Sequence, residues 1–126
     1  MLFRSLANFQ NLAVSFASQR TSTGFTSQTW ETSTNGTTWV SWGSFSAGAA
    51  AGTLTSSFAT SGVLALGSTA ALDNATTAYV RVTFAGATAA SGNNRLDNLI
   101  FTADAIPTPG AIAMIGVAGL VARRRR

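Results

Sequence analysis

Residues 9–103 alternate apolar and polar side chains with a period of two, and this alternation restricts the fold more than any other feature of the chain. The clearest examples are residues 12–17 and 79–84, and clusters of Gly, Asn and Ser separate the apolar runs. A strand that buries one face in an antiparallel sheet has this period. The sequence therefore predicts an all-β fold of six or seven strands, in which the small residues of 43–52 form a loop.

The dipeptide Asn35-Gly36 predicts a tight turn between strands at 29–34 and 37–42. Asn and Gly both tolerate the positive φ that the two central positions of a type I′ turn require. We therefore expect a two-residue β-hairpin at this place in the chain.

A two-residue turn would fix the sheet faces of the three tryptophans. Thr32 would lie opposite Trp39, and Trp30 would share the face of Trp39, where both side chains are expected to fill the core. Trp42 would lie on the other face. Because an indole offers a flat apolar surface to a sugar ring, Trp42 is the candidate sugar-binding platform.

The sequence contains no Cys, His or Lys. Their absence excludes a Ser-His or Cys-His nucleophile pair, a Schiff-base lysine, a disulfide framework and an ordinary zinc site. A glycosidase needs two carboxylates about 5–10 Å apart, and no motif brings the four acids of this chain together. The sequence thus predicts a protein that is not an enzyme and has no cofactor.

The net charge of +4 comes from four consecutive arginines at the C-terminal end of the sequence. In residues 1–122 the remaining four arginines balance four acidic residues, so that this part is formally neutral. A nucleic-acid-binding domain carries its basic residues on the folded surface. No nucleic-acid partner is therefore predicted.

Residues 107–126 consist of three parts in a fixed order: a Pro-x-Pro segment, twelve uncharged and mainly apolar residues, and the arginine cluster. Twelve helical residues extend about 18 Å, which is shorter than the ~30 Å hydrocarbon core of a bilayer. Counting from Ile106 gives seventeen apolar and small residues, at the lower limit of a membrane span. Cationic residues stay on the cytoplasmic side, so the preceding domain would lie outside.

This order resembles the PEP-CTERM protein-sorting signal of Gram-negative bacteria. The resemblance implies export, transient anchoring in the inner membrane through a short apolar helix at 111–126, and delivery to the cell surface or extracellular matrix. It also implies an exosortase-like processing enzyme that cleaves near the Pro-x-Pro segment. One position departs from the family, because Thr108 stands where the signal usually has Glu. The motif residues are Pro107, Thr108, Pro109, Gly110, Arg123, Arg124, Arg125 and Arg126.

Residues 84–102 are predicted to form a strand, a glycine-containing loop and a final strand. Together with the Asn35-Gly36 turn, they resemble the carbohydrate-binding, galactose-binding-like β-sandwiches with jelly-roll topology, whose last hairpin has this pattern. The resemblance implies a jelly-roll-like β-sandwich at 1–104, followed by a Pro-x-Pro linker at 105–110. A jelly roll has about eight strands, and the first eight residues do not form a secretory signal. We hypothesise that the reading frame starts internally and lacks N-terminal strands.

Four polar residues near the last strand supply oxygen atoms of the kind that bind calcium. The alternative is that they brace the loop through hydrogen bonds to backbone amides. The candidate residues are Asn93, Asn94, Asp97 and Asn98.

Taken together, these patterns predict an exported, non-enzymatic protein of the cell surface or exopolysaccharide matrix. The alternative is a carbohydrate-binding module, belonging to a longer secreted enzyme, with polysaccharide as its partner. A third interpretation retains the apolar tail as a membrane anchor.

Overall fold

Two antiparallel sheets make up the fold. The computed structural model describes residues 2–107, with the side chains of residues 5–107. These residues form seven strands and one short helix: β1 (Leu2–Arg4), β2 (Phe9–Arg20), β3 (Ser27–Ser33), β4 (Val40–Ser46), α1 (Phe58–Ser61), β5 (Val63–Thr69), β6 (Ala78–Ala85) and β7 (Asn94–Ala105). One sheet has the order β1-β6-β3-β4 and the other the order β5-β2-β7. The prediction of an all-β fold is confirmed.

The core lies between the two sheets, as in a β-sandwich, and β2 contributes its centre. Leu12, Val14 and Phe16 alternate with less buried residues and are 6%, 2% and 1% exposed. The ring of Phe16 lies 4.8 Å from that of Trp30 on β3 and 5.4 Å from that of Phe45 on β4. Burying each such side chain stabilises the fold by about 1.5–3 kcal/mol. The predicted strand at 12–17 is thus the middle of β2, and its period-two pattern selects the buried face.

The predicted two-residue hairpin turn is wrong, because β3 and β4 are joined by the six residues 34–39. Thr32 pairs with Val40 instead of Trp39. In the predicted turn pair only Gly36 has a positive φ, of 74°.

Side-chain acceptors explain the longer loop. Ser33 Oγ accepts hydrogen bonds from the backbone amides of Asn35 and Gly36, and Asn35 Oδ1 accepts from those of Thr37 and Thr38. Short polar side chains can satisfy backbone donors in this way and so compete with a tighter turn.

The predicted closing hairpin is also wrong, because β6 and β7 belong to different sheets. β7 pairs with β2 from Arg20–Asn94 to Phe9–Ala105, and residues 86–93 cross from one sheet to the other. A connection of this length does not force its two strands to be neighbours. Part of the predicted loop at 43–52 is strand as well, since β4 continues to Ser46.

The predicted apolar helix and arginine cluster lie outside the described residues, as do Thr108, Pro109 and Gly110. In the part of the chain that the structure covers, no helix has the length and apolar character needed to span a membrane.

Candidate functional site

Trp42 faces the interior of the sandwich, contrary to the predicted sheet face. Trp30 pairs with Gly43 and Glu31 pairs with Ser41, so Trp42 is an extra residue on β4, a β-bulge. Because Thr32 pairs with Val40 and not with Trp39, the strand is shifted by one residue from the predicted register, and this shift alone turns Trp42 to the face of Trp30. The indole packs against the core, and its Nε1 donates a hydrogen bond of 2.8 Å to the carbonyl oxygen of Gly67 on β5. Trp42 therefore joins the edges of the two sheets.

Trp39 lies on the outer face of the four-stranded sheet, and not in the core beside Trp30 as predicted. Its ring is 4.0 Å from Arg81 Cζ and 6.5 Å from the ring of Tyr79, to which it is nearly perpendicular. Arg81 and Tyr79 are two residues apart on β6 and so share a face. Trp30, by contrast, is 2% exposed. We call Trp39, Tyr79, Arg81 and Glu31 the outer-face cluster.

An ion pair holds the outer-face cluster together. Arg81 and Glu31 are cross-strand partners on β6 and β3, and Arg81 Nε donates to Glu31 Oε2 at 2.6 Å. This hydrogen bond, followed by the positive charge of Arg81, lowers the pKa of Glu31 from its ordinary value. Glu31 is therefore ionised at neutral pH, whereas a glycosidase general acid needs a raised pKa.

Loop 34–39, which carries Trp39, is braced by the Asn35 side chain and packs on Tyr79. The glycine at position 36 lies over the ring of Tyr79, and a Cβ there would be 3.4 Å from Tyr79 Cζ. With its left-handed backbone, this position suits glycine. The loop is thus fixed before any ligand arrives, which reduces the entropy that binding costs.

The four candidate calcium residues make two separate sets of hydrogen bonds. Asn93 accepts from the backbone amide of Thr21 through its carbonyl oxygen, and Asn94 Nδ2 donates to the carbonyl oxygen of Phe25. This first pair braces the segment between β2 and β3.

The second pair forms a bulge in β7. Asp97 Oδ1 accepts from the backbone amide of Asn98, which has a φ of 51°. Opposite them, β2 has one residue fewer between Ser15 and Ala17. Asn adopts this left-handed conformation more readily than most residues. Asp97 is thus the member of this set whose side chain accepts from a backbone amide, and it does so within β7, whereas Asn93 and Asn94 contact the segment after β2 through a backbone carbonyl and a side-chain NH₂. Within residues 2–107, no three His, Cys, Asp or Glu side chains come together as metal ligands.

A polar pocket of about 290 Å³ lies at the end of β2, which the sequence patterns did not indicate. We call it the Arg20–Arg95 pocket, and its lining consists of Gln19, Arg20, Thr21, Ser22, Ser56, Asn93 and Arg95. Its arginines come from paired strands, since Gln19 pairs with Arg95 and Arg20 with Asn94. Among the described residues, the one arginine–carboxylate contact is that of Arg81 with Glu31. Both arginines of the pocket therefore lack an acidic partner within that part of the chain.

A larger apolar cavity of about 540 Å³ lies between β6 and β7, on the side of the sandwich opposite Trp42. Val80, Phe101 and Ala103 are among its lining residues, and Leu99 at its rim is 47% exposed. It contains no titratable side chain among the described residues. The cavity offers mainly apolar surface, and its polar side chains are the hydroxyls of Ser5 and Thr102.

Among the described residues, the outer-face cluster and the Arg20–Arg95 pocket are thus the sites that offer charged groups to a ligand. Comparison of the chain with protein-family models, with curated proteins and with solved structures finds no match.

Proposed function

We propose that this chain is an exported, non-enzymatic β-sandwich protein that a PEP-CTERM-like signal delivers to the cell surface or exopolysaccharide matrix. The observation that carries the proposal is the order of Pro-x-Pro, apolar segment and arginine cluster in residues 107–126. The topology supports the position of this signal. β7 ends at Ala105, so the signal follows the last described strand directly.

The jelly-roll relationship is part of the same proposal. Five of the six connections between consecutive strands pass from one sheet to the other. Jelly rolls are two-sheet structures built from Greek keys, in which such crossings are frequent. The state of Glu31 supports a role without catalysis, because its ion pair with Arg81 removes it as a general acid.

The test is the intact mass of the native protein recovered from the cell envelope and from the medium. We expect a chain that ends near residues 107–110. A mass that includes Arg126 in both fractions would contradict processing, and recovery from the cytoplasm alone would contradict export. A control strain without its exosortase should retain the complete tail.

A second candidate function, carbohydrate binding, is favoured by the outer-face cluster. Trp39 offers an indole on the outside of the sheet, and the ion pair of Arg81 and Glu31 beside it offers hydrogen-bonding groups for sugar hydroxyls. This role belongs to Trp39 and not to Trp42, whose ring packs against the core.

A glycan-array measurement with Trp39→Ala tests this candidate. Loss of one stacking platform should weaken binding by about tenfold, which corresponds to ~1.4 kcal/mol. The matched control is Thr83→Ala, an exposed residue on the same face of β6. Equal binding by both variants would remove Trp39 from the site.

A further inference from the structure

The Arg20–Arg95 pocket has a positive charge that nothing in its lining offsets. None of its seven described lining residues is acidic. Arg95 is exposed, whereas Arg20 is partly buried. Two guanidinium groups in one pocket favour a ligand with negative charge, and the planar guanidinium fits the two oxygens of a carboxylate.

Arg20 also has a hydrogen-bond donor without an acceptor. Its Nη2 donates to the carbonyl oxygens of Ser22 and Gly24, at 3.1 and 3.2 Å, which fixes the guanidinium against the loop. Its Nε is buried and has no acceptor among the described residues. Buried donors in folded proteins nearly always have a partner. Asn94, the cross-strand partner of Arg20, likewise has a buried side-chain oxygen without a donor, so Arg20 would meet a ligand through the outer nitrogens of its guanidinium.

The other lining residues and the volume of the pocket further restrict the class of ligand that can bind. Hydroxyl groups come from Thr21, Ser22 and Ser56, and side-chain amides come from Gln19 and Asn93. Such a lining suits a ligand with several hydroxyl groups in addition to its charge. The volume of about 290 Å³ is just below the ~300 Å³ at which small-molecule pockets begin. One sugar ring fits within it, whereas a small inorganic anion would leave most of it empty.

We propose that the Arg20–Arg95 pocket binds a hexuronate residue of an acidic polysaccharide, with the sugar carboxylate at the two guanidinium groups and the ring hydroxyls at the polar lining. The pocket lies at the end of the three-stranded sheet, so it is separate from the outer-face cluster on the other sheet. The proposal does not depend on export, because all seven lining residues belong to the described sandwich.

The first experiment is titration calorimetry of the full chain in mild detergent at low salt. The probes are tri-galacturonate, the neutral trisaccharide galactotriose, and sodium sulfate. We expect tri-galacturonate to bind at least about tenfold more tightly than either of the others. Equal affinity for galactotriose would overturn the role of the charge, and equal affinity for sulfate would overturn the role of the sugar ring.

Variants then place the binding in the pocket. Arg95→Gln should weaken binding of tri-galacturonate by about tenfold, because it removes one charge-assisted contact. Arg20→Lys keeps the charge but loses Nε and the planar fork, and we expect a loss of about fivefold. Arg4→Gln is the control for net charge, since position 4 lies on the other sheet, and it should change affinity less than about twofold.

Two results would overturn the assignment. One is unchanged affinity in Arg95→Gln, whose exposed side chain can be replaced without affecting the core. The other is loss of affinity in Trp39→Ala with affinity retained in Arg95→Gln, because binding would then belong to the outer-face cluster. If Arg20→Lys loosens the loop and lowers the unfolding temperature, the Arg95→Gln result alone decides.

Discussion

The two long sides of the sandwich differ in how their sheets meet. On the side of β4 and β5, the Trp42 indole bonds to the carbonyl oxygen of Gly67, and Leu66 lies against Gly43. On the side of β6 and β7, the sheets leave an apolar cavity of about 540 Å³. The two sheets therefore pack closely on the side where a large aromatic side chain, Trp42, bridges them and a glycine, Gly43, leaves room for Leu66. On the other side the apolar surface stays incompletely packed, which costs contact energy.

The substitution expected to have the largest effect on stability is Trp42→Ala. We expect the free energy of unfolding to fall by about 3 kcal/mol, since truncating a large aromatic side chain that packs against the core removes its contacts and its hydrogen bond to Gly67. The control on the open side is Phe9→Ala, whose side chain is 43% exposed, and its loss should be about 1 kcal/mol or less. Urea unfolding followed by circular dichroism measures both. Equal losses would mean that the two sides are packed equally well.

A smaller effect is expected from Gly43→Ala. A Cβ at this position would lie 2.6 Å from Leu66 Cδ2, so the leucine must move. Crowding of this kind costs about 1–2 kcal/mol. In Gly67→Ala the new Cβ meets nothing within 4 Å, and we expect a change within about 0.5 kcal/mol. If Gly43→Ala is as stable as Gly67→Ala in urea, then the close contact between Gly43 and Leu66 does not contribute to the packing of β4 against β5.

Filling the open side should stabilise the protein. Ala103→Val adds two methyl groups to the lining of the apolar cavity, and we expect a gain of about 0.5–1 kcal/mol. Ala105→Val, at an exposed position on the same strand, should change stability by less than about 0.5 kcal/mol. Thermal unfolding compares the two variants, and a destabilised Ala103→Val would show that the cavity has no room to be filled.

The smallest effect concerns acid pH and the outer face. The hydrogen bond from Arg81 lowers the pKa of Glu31 in the folded state below its ordinary value of 4.5. The unfolded state therefore takes up this proton first as the pH falls, and the contribution of Glu31 is lost below about pH 4.5. Glu31→Gln should flatten the fall in unfolding temperature between pH 5 and pH 3.

Measurements over the same pH range show whether the Glu31–Arg81 ion pair on the outer face and the Trp42 contact between the sheets stabilise the fold independently. The stability lost in Trp42→Ala should be the same at pH 7 and at pH 3, because Trp42 contacts no titrating group among the described residues. A loss that changes with pH would mean that the ion pair and the closed side are coupled.

The strands that the sequence predicted best are those whose signal is local. β2 and β6 each carry their own period-two pattern, and the burial of Leu12, Val14 and Val80 follows from it. The turn between β3 and β4 was predicted wrongly, since Ser33 and Asn35 offer side-chain acceptors that favour a longer loop. Local propensity does not decide between these two solutions.

The faces of Trp39 and Trp42 were predicted wrongly as a consequence of the same turn. The six-residue connection pairs Thr32 with Val40 instead of Trp39, and this one-residue shift leaves Trp39 on the outer face and turns Trp42 to the interior. The Arg20–Arg95 pocket was missed because its two arginines are far apart in the sequence and meet only when β7 pairs with β2. The bulge at Asn98 was not predicted either, although Asn adopts the left-handed backbone found there more readily than most residues.

That bulge has a further consequence for the protein at high concentration. β7 is twelve residues long and stands at the edge of its sheet within the described chain, with one side of its backbone unpaired. A long regular edge is a template on which other chains can add strands and begin to aggregate. The extra residue at Asn98 breaks the even spacing of backbone donors and acceptors, and Arg95, Asp97 and Asp104 add exposed charges along the same strand. The edge is thereby divided into two short stretches, neither of which supports continued growth of an intermolecular sheet.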